Sequence, residues 1–351
     1  MTTKNIAVLG GLALVLGSAA YFTSSGTKVR TPQLSGRRVV EKFNLADVAS
    51  VEAGAGLKLT AGEKGWTVDS KYGYPASVEK IRENLLKLDA LKVGQVVRSR
   101  KLDAVVRTEL KNAAGEVIAS AELGDRHFRK ARGEMAQFGG GGYADGRYMK
   151  YAGQTVLVND ALEAFDGDFK KWIDTRICEV PSADVVEVVY ASSGEKVELK
   201  RVGSEWKLEG LGDKEELDSS KTYSLGGGLS YLDLADVADP ALDGAKLGFA
   251  TGGVYTVTLK DGVRYTANLG AAADDGRYFK VAAQFSPTGT NAVENAALEK
   301  KVADFNATVA KWNYVISAYS ADSMMKKRAD LVKAKEEPKK DDSAEKSEKV
   351  Q

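Results

Sequence analysis

The sequence predicts an α+β protein with a mainly antiparallel sheet and packed helices, arranged as a tandem duplication after one N-terminal membrane segment. Three observations support this prediction. Residues 6–22 form an apolar run without a charged side chain. Short runs of alternating apolar and polar residues, separated by glycine-containing turns, alternate with amphipathic stretches typical of helices. Matched residues recur at a constant shift along the chain, which indicates an internal repeat.

The repeat is clearest in the four tryptophans. Trp66 and Trp206 lie in matching predicted strands, and Trp172 and Trp312 each follow a lysine; both pairs are 140 residues apart. The hexapeptides DGRYMK and DGRYFK occur once in each copy. Chance would rarely place every tryptophan in an equivalent pair. We therefore predict two α+β repeats, over residues 44–181 and 182–322.

Each predicted repeat begins with three strands and continues with a helix, further strands and a last helix. In the first repeat Pro75 and Ser77 begin the helix, Glu79 favours its positive end, and Ile81 and Leu85 start its apolar face. The matching stretch of the second repeat, SSKTYSLGGGLSYLDL, contains three glycines, each costing a helix about 1 kcal/mol. We expect a shorter or broken helix there. The opening strands are predicted over residues 48–52, 57–60, 66–69, 185–190, 196–200 and 206–208.

The N-terminal part of the chain predicts a membrane attachment. Residues 1–5 are a short leading segment, and residues 6–22 are predicted to be an uncleaved transmembrane anchor. The alternative is a cleaved signal segment, because the small residues that begin at Ser18 fit a signal-peptidase site. A single anchor before a large folded part normally directs that part outward across the membrane. Residues 23–43 are polar and are predicted to be a tether.

The C-terminal end of the chain is strongly charged. Residues 326–351 contain nine basic and seven acidic side chains and no aromatic residue. Such a segment cannot bury enough apolar surface to offset the entropy that it loses on ordering. We therefore predict that residues 323–351 form a charged, disordered tail.

The composition excludes several classes of protein. Fifty basic residues balance 49 acidic ones, so no overall field recruits nucleic acid. Cys178 is the only cysteine and His127 the only histidine, which excludes an intramolecular disulfide, the usual cysteine cages for zinc, and multi-histidine metal sites. We expect no enzyme activity, cofactor, metal or nucleic-acid partner. A hydrolase that uses carboxylates is a third, less favoured class.

The first repeat contains an insertion that the second lacks. Gly124 and Gly146 are 22 residues apart, whereas the matching Gly270 and Gly276 are six apart. The sixteen extra residues are rich in basic and aromatic side chains, and a long loop added to a compact domain is often functional. The insertion has two interpretations: a mobile loop whose charges are solvated, and a candidate partner-binding loop that contacts an acidic partner surface, an anionic lipid headgroup or an envelope polymer. The candidate residues are Arg126, Phe128, Arg129, Lys130, Arg132 and Phe138.

The repeated DGRY motif has two interpretations. An Asp-Gly turn followed by a strand is a strong hairpin signal, so we favour a role of the motif in the fold, with Tyr148 and Tyr278 on the sheet. The weaker alternative is a ligand site, because guanidinium groups bind carboxylates and phosphates with paired hydrogen bonds. The candidate residues for that site are Arg147 and Arg277.

Several stretches also carry a family resemblance: GWTV, YPASVEKIRENLLKLDAL, GRYMKY followed by TVLV, and AKWNYVISAYSADSMMKKRADLV. With the apolar N-terminus, they resemble the bacterial family called domain of unknown function 4340 over most of residues 1–335. The family has no established activity, so no catalytic residues are carried over. The resemblance implies a single-pass protein of the bacterial inner membrane, with the bulk of the chain in the periplasm, often beside ABC-type export or gliding-transport components.

One functional expectation is favoured. It is a non-catalytic, membrane-anchored, extracytoplasmic protein that binds a protein partner as an accessory component of a cell-envelope complex, such as an ABC-type transporter. The transport part of this expectation rests on the family resemblance alone. The alternative is a stand-alone envelope module that binds lipid or glycan.

Overall fold

The computed structural model describes residues 34–102, 104–129, 142–222 and 225–335. The predicted anchor over residues 6–22 and residues 23–33 of the predicted tether lie outside these residues. The rest of that tether, residues 34–43, is described and packs into the protein, with Leu34, Val39, Val40 and Phe43 buried. In the described part of the chain, no helix combines the length and apolar character that crossing a membrane requires. The described residues form an α+β protein with large antiparallel sheets, as the sequence predicted.

Twenty strands lie within the described residues, and their pairings are antiparallel. The first nine are β1 (Ser50–Glu52), β2 (Lys58–Gly62), β3 (Gly65–Val68), β4 (Tyr74–Pro75), β5 (Val93–Val96), β6 (Val106–Lys111), β7 (Val117–Arg129), β8 (Tyr143–Tyr151) and β9 (Gln154–Val158). The others are β10 (Arg176–Cys178), β11 (Val185–Ser192), β12 (Glu195–Val202), β13 (Glu205–Leu208), β14 (Glu215–Leu217), β15 (Leu232–Val237), β16 (Gly253–Leu259), β17 (Val263–Ala273), β18 (Gly276–Phe285), β19 (Tyr314–Ile316) and β20 (Val332–Ala334).

Helices are the smaller part of the described structure. The α-helices are α1 (Val78–Ala90), α2 (Ser219–Thr222), α3 (Gly244–Leu247), α4 (Ala292–Val309), α5 (Ala318–Met324) and α6 (Arg328–Leu331). Single 3₁₀ turns cover Leu45–Asp47, Gly54–Gly56, Asp69–Lys71, Glu163–Asp166, Phe169–Lys171, Ser182–Asp184 and Leu225–Gly227.

Helix α1 confirms the first of the two helices predicted in the first repeat, whereas the second prediction was wrong, because the 3₁₀ turns Glu163–Asp166 and Phe169–Lys171 stand in its place. The hydroxyl of Ser77 accepts a hydrogen bond from the backbone N–H of Lys80 at 3.4 Å, so Ser77 caps the helix as expected. Ile81, Leu85 and Leu88 follow one another at helical spacing, and all three are buried. The cap therefore explains where the helix begins, and the apolar face explains why it packs.

The matching stretch of the second repeat is broken, also as predicted. Helix α2 has only four residues, and the 3₁₀ turn Leu225–Gly227 follows it. A Cβ atom on Gly228 would lie 3.1 Å from the Tyr255 hydroxyl oxygen and 2.9 Å from Cγ of Met324. Close packing therefore favours glycine at this position, and the low helix propensity of glycine ends the helix.

Two compact units alternate along the chain. Unit 1 combines the residues up to Gly54 with Arg82–Asp166, and unit 2 combines Ala55–Ile81 with the residues from Gly167 onward. Residues 55–81 and 167–181, which we assigned to the first repeat, thus pack within unit 2. The repeat boundaries come from sequence correspondence and not from contacts, so they remain a prediction.

Unit 1 is built on strands in the order β1-β6-β7-β8-β9-β5. Leu110 of β6 pairs with Ala119 of β7, and Met149 of β8 pairs with Val156 of β9. All four side chains are buried. Because successive side chains of a strand point to opposite faces, these pairs place the core of unit 1 on one face of the sheet.

Unit 2 contains a nine-stranded sheet in the order β10-β15-β19-β18-β17-β16-β11-β12-β13, the pair β14-β20, and the short strands β2, β3 and β4. Helix α4 packs on β18, where the side-chain amide of Asn306 bonds both the N–H and the carbonyl of Ala283, each at 2.8 Å. The ring of Tyr74 lies 4.9 Å from the ring of Trp312, centroid to centroid. Residues from both chain segments therefore form one core in unit 2.

The C-terminal tail begins later than we predicted. Residues 323–335 include the end of α5, helix α6 and strand β20, which pairs with β14. Met324 and Leu331 are buried, and the Arg328 guanidinium pairs with the Glu215 carboxylate. The prediction of disorder was wrong here because it averaged the charge over the segment, whereas a few apolar side chains suffice to dock it. Residues 336–351 lie outside the described residues.

Candidate functional site

The predicted partner-binding loop is partly a hairpin. Strand β7 continues to Arg129 and β8 begins at Tyr143, so Arg126, Phe128 and Arg129 lie on a strand and not in a loop. These residues form strands because the antiparallel pairing of β7 with β8 continues past Gly124, and its backbone hydrogen bonds extend both strands. We call residues 126–129 and 143–147 the distal hairpin. The other candidates, Lys130, Arg132 and Phe138, lie outside the described residues.

Irregular pairing shapes the distal hairpin. The register shifts between Leu123 and Arg126 and again between His127 and Phe128. Such bulges break the strict alternation of strand faces and increase local twist. As a result, the neighbours Phe128 and Arg129 are both exposed, Phe128 by 59% and the Arg129 side chain by 67%.

A charge cluster centres on Asp145. Its carboxylate lies 2.5 Å from Nδ1 of His127 and 2.9 Å from Nε of Arg129. The hydrogen bond with His127, followed by the charges of His127 and Arg129, lowers the pKa of Asp145 from its ordinary value. Asp145 therefore stays ionised near neutral pH and ties the two basic side chains to β8.

A second cluster lies where the distal hairpin meets the 3₁₀ turn Glu163–Asp166. The Asp166 carboxylate lies 2.6 Å from Nη2 of Arg126 and 2.5 Å from Nη2 of Arg147, and Glu163 lies 3.5 Å from Arg126. Two guanidinium groups thus share one carboxylate. Because each charge has an opposite partner, this part of the hairpin is held in place by ion pairs.

Arg147 is committed to contacts inside the protein. It is 4% exposed, and its guanidinium also donates to the carbonyl of Gly124 at 2.8 Å and to those of Ala161 and Leu162 at 3.2 and 3.4 Å. Protein acceptors thus surround the guanidinium. This placement favours the interpretation of DGRY as part of the fold over the ligand site that we gave as the alternative.

Arg277 makes a matching contact in unit 2. Its Nη1 donates to the carbonyl of Gly270 at 2.6 Å, and Gly270 is the residue that the sequence aligns with Gly124. The hairpin predicted before Arg277 is present, but its two turn residues are Asp274 and Asp275: β17 ends at Ala273, β18 begins at Gly276, and these two residues pair. The same prediction at Gly146 was wrong: this glycine lies inside β8, because the insertion moves the end of the hairpin away.

The motif glycines are required by close backbone approach. A Cβ on Gly146 would lie 2.3 Å from the carbonyl oxygen of Val158, and one on Gly276 would lie 2.0 Å from that of Ile316. No side chain fits at these distances. The DGRY motif therefore has two structural roles. Its glycine allows the neighbouring strand to approach closely, and its arginine donates a hydrogen bond to a backbone carbonyl.

Some residues of this site could be predicted from the sequence, and others could not. Arg126, Phe128, Arg129 and Arg147 come together as parts of one hairpin, whereas Arg277 belongs to unit 2. The acidic partners were missed, because an acidic residue carries little information in a chain with 49 of them. The missed residues are Asp145, Glu163 and Asp166.

The exposed surface of the distal hairpin carries aromatic and cationic side chains. Phe128 and Tyr143, which is 55% exposed, present aromatic rings beside the cationic Arg129. His127 and Asp145 are bonded to each other at 2.5 Å. In the described ranges no group of three or more metal-ligating side chains is found. The arrangement offers an apolar and cationic contact surface.

Comparison with known proteins places the chain in a family. The family model for a domain of unknown function (DUF4340) matches residues 66–251, which is more than half of the 351 residues. Neither the search of curated proteins nor the search of solved structures found a match. The matched region contains the distal hairpin, Arg147 and, in unit 2, helix α3. The chain belongs to the DUF4340 family.

Proposed function

We propose that this protein is a non-catalytic, membrane-anchored accessory component of a bacterial cell-envelope complex and that it binds a protein partner through the distal hairpin. The observation that carries the proposal is the exposure of Phe128 and Tyr143 next to Arg129 on paired strands. Aromatic residues and arginine are the residue types enriched at the energetic centres of protein interfaces.

The support beneath these side chains favours binding. Arg129 is paired with Asp145, and Arg126 and Arg147 share Asp166, so the strands that present the aromatic rings are already ordered. A preformed surface loses less conformational entropy on binding than a mobile one does. The complementary partner surface would contain an apolar pocket with acidic groups beside it.

The proposed location follows from the sequence. Residues 6–22 anchor the chain in the inner membrane, and the rest of the chain lies in the periplasm. The partner that we propose is an ABC-type transport complex, on the basis of the family resemblance. The proposed location and the proposed transporter partner are both independent of the geometry of the distal hairpin. That geometry supports only the binding of a partner.

We also propose that the chain arose by tandem duplication. Unit 1 has the strand order β1-β6-β7-β8-β9-β5, and unit 2 contains the order β11-β16-β17-β18-β19-β15. In both cases the hairpin that ends in the DGRY strand occupies the middle of the order. The contacts of Arg147 with Gly124 and of Arg277 with Gly270 repeat in the same places. Shared strand order and shared contacts support a common origin of the two parts.

Affinity purification with a matched control tests the proposed function. The tagged full-length chain is purified from its own membranes in mild detergent, and co-purifying proteins are quantified by mass spectrometry. The test variant is Phe128→Ala with Arg129→Ala. The control is Val106→Ala with Arg107→Ala, another exposed apolar residue and arginine adjacent on a strand of unit 1.

We expect transporter subunits to co-purify with the wild-type chain and the control, and their recovery to fall at least about tenfold with the test variant. If transporter subunits are recovered equally with both variants, the distal hairpin is not the contact site. If the wild-type chain recovers no transporter subunits, the accessory function is wrong.

A further inference from the structure

Unit 2 has an open groove that the proposed function does not use. It has a volume of about 690 Å³ and lies among the 3₁₀ turn Ser182–Asp184, the end of the β12–β13 hairpin, helix α2 and helix α5. Small-molecule sites commonly have volumes of about 300–1,000 Å³. The groove is therefore large enough for a ligand of several rings, and its lining shows which chemistry it would accept.

Aromatic rings are the first feature of the lining. Tyr231 and Tyr319 are 71% and 84% exposed, and Trp206 is half-buried in the same groove. The Arg176 guanidinium lies 5.0 Å from the ring centre of Tyr231, and that of Arg201 lies 5.5 Å from the ring of Trp206. These cation–π contacts restrain two of the rings. Exposed rings that line a groove offer flat apolar faces for stacking.

Hydroxyl groups are the second feature. The groove is lined by several serines and a threonine, and a hydroxyl group both donates and accepts hydrogen bonds. Ser323 donates to the carbonyl of Ser320 at 2.7 Å, and Thr222 donates to that of Ser219 at 2.8 Å, which leaves their lone pairs as acceptors. The Ser230 hydroxyl is buried at the groove wall and has no hydrogen-bond partner among the described residues.

The third feature is the low charge of the groove. Among its described lining residues, Arg201 carries the only formal charge, and no carboxylate is present. Arg201 is already engaged, because its Nη1 donates to the carbonyl of Ala183 at 3.1 Å and its guanidinium lies over Trp206. A ligand does not need to be charged to bind here. An anionic ligand would find only Arg201 among the lining cations, and this guanidinium already has partners within the protein. An alkyl chain would bury hydroxyl groups of the lining without giving them hydrogen-bond partners.

We propose that this groove binds a neutral oligosaccharide. A pyranose ring has an apolar C–H face that stacks on aromatic side chains and equatorial hydroxyl groups that pair with serine, threonine and backbone groups. A neutral sugar thus matches all three features of the described lining: the aromatic faces, the hydroxyl groups and the lack of carboxylates. The proposal goes beyond the partner binding assigned to unit 1, and the two can fail separately because they use different residues.

Titration calorimetry on the full-length chain tests the proposal. The chain is purified in a polyoxyethylene detergent, because a sugar-headgroup detergent would compete for the groove. The probes are tri-N-acetylchitotriose, maltotriose and cellotriose. The test variants are Tyr231→Ala and Tyr319→Ala; since both side chains are exposed, their loss leaves the core intact. Tyr72→Ala, which removes an exposed tyrosine of unit 2 outside the groove, is the matched control.

We expect at least one probe to bind, each test variant to weaken its binding about fivefold or more, and the control to bind like the wild type. Vesicles of phosphatidylglycerol and phosphatidylcholine provide a second arm. The proposal is overturned if no probe binds at concentrations up to about 10 mM, if the two test variants bind like the control, or if the variants lose binding to vesicles but not to sugars.

Discussion

Nη2 of Arg147 lies 2.5 Å from Oδ1 of Asp166, and Arg126 binds the other oxygen of the same carboxylate. The Arg147 side chain is nearly inaccessible, whereas Asp166 keeps contact with solvent. A guanidinium so buried depends on its partners, because removing one leaves a charge without compensation. The pair therefore connects the distal hairpin to the 3₁₀ turn that ends unit 1.

We predict that Asp166→Ala lowers the free energy of unfolding of unit 1 by about 3–5 kcal/mol. Urea unfolding followed by circular dichroism measures this change. Tryptophan fluorescence would not, because all four tryptophans lie in unit 2. The control is Arg107→Ala, which breaks an exposed ion pair with Glu109 and should cost less than about 1 kcal/mol. Equal effects of the two substitutions would contradict a structural role of Asp166.

The motif glycines give a second prediction. Gly146→Ala and Gly276→Ala should each destabilise their unit by about 2–3 kcal/mol, because the added methyl group would overlap a carbonyl oxygen of the next strand. Circular dichroism reports on the first variant and tryptophan fluorescence on the second. Gly244→Ala is the control: no atom lies within 4 Å of its added Cβ, so stability should stay equal or rise slightly. Wild-type stability of either motif variant would show that the strands can separate without cost.

Cys178 gives a third prediction. The thiol is buried, and burial raises its pKa to about 12. We expect no reaction with a thiol reagent at pH 8 in the folded chain and full reaction in denaturant. Above pH of about 8.5 the unfolded chain loses the thiol proton that the folded chain keeps, so the free energy of unfolding falls as pH rises.

Cys178→Ala should remove that part of the pH dependence, which amounts to about 1–2 kcal/mol at pH 10. Unfolding of unit 2 in urea, followed by tryptophan fluorescence, measures the difference between pH 7 and pH 10. Rapid modification of the folded chain would show that the environment of Cys178 opens readily.

Asp145 gives a prediction on the acid side. Its pKa is lowered in the folded chain, first by the hydrogen bond from His127. The resulting stabilisation is fully present above the unfolded pKa of about 3.9 and is lost as pH falls through the lower folded pKa. The stability difference between the wild type and Asp145→Asn should therefore shrink as pH falls below about 4.

Urea unfolding of the full chain, followed by circular dichroism at a series of acid pH values, measures this difference. His127→Ala serves as the comparison, because without the histidine the substitution at Asp145 should have a smaller pH-dependent effect. A difference that persists unchanged at the lowest pH would mean that the carboxylate contributes by packing and not by charge.

Elements whose structure depends on residues close along the chain could be predicted from local signals in the sequence. Helix α1 has its cap at Ser77 and an apolar stripe within a single segment, so both its presence and its start could be predicted. The broken helix after Ser219 was foreseeable from its glycines. In each case the deciding interactions lie within a few residues along the chain.

The sequence was insufficient where distant residues decide the outcome. The extension of β7 through Arg126, His127 and Arg129 has no apolar alternation, and it depends on pairing with β8 and on Asp145. The docking of the tail depends on a few apolar residues, Met324 and Leu331 among them, in or beside a charged segment. Neither contact partner is marked by spacing or residue type, so only the three-dimensional arrangement reveals them.

The division of unit 2 into two chain segments has a consequence for protein synthesis. Residues 55–81 are made before their packing partners: Tyr74 precedes Trp312 by 238 residues, and Lys71 precedes Asp236, its ion-pair partner, by 165. At a translation rate of about 5–20 residues per second, Tyr74 waits about 12–48 seconds for Trp312. Unit 1, which ends at Asp166, can fold during that interval. Residues 55–81 are therefore synthesised about 12–48 seconds before the core of unit 2 can be completed.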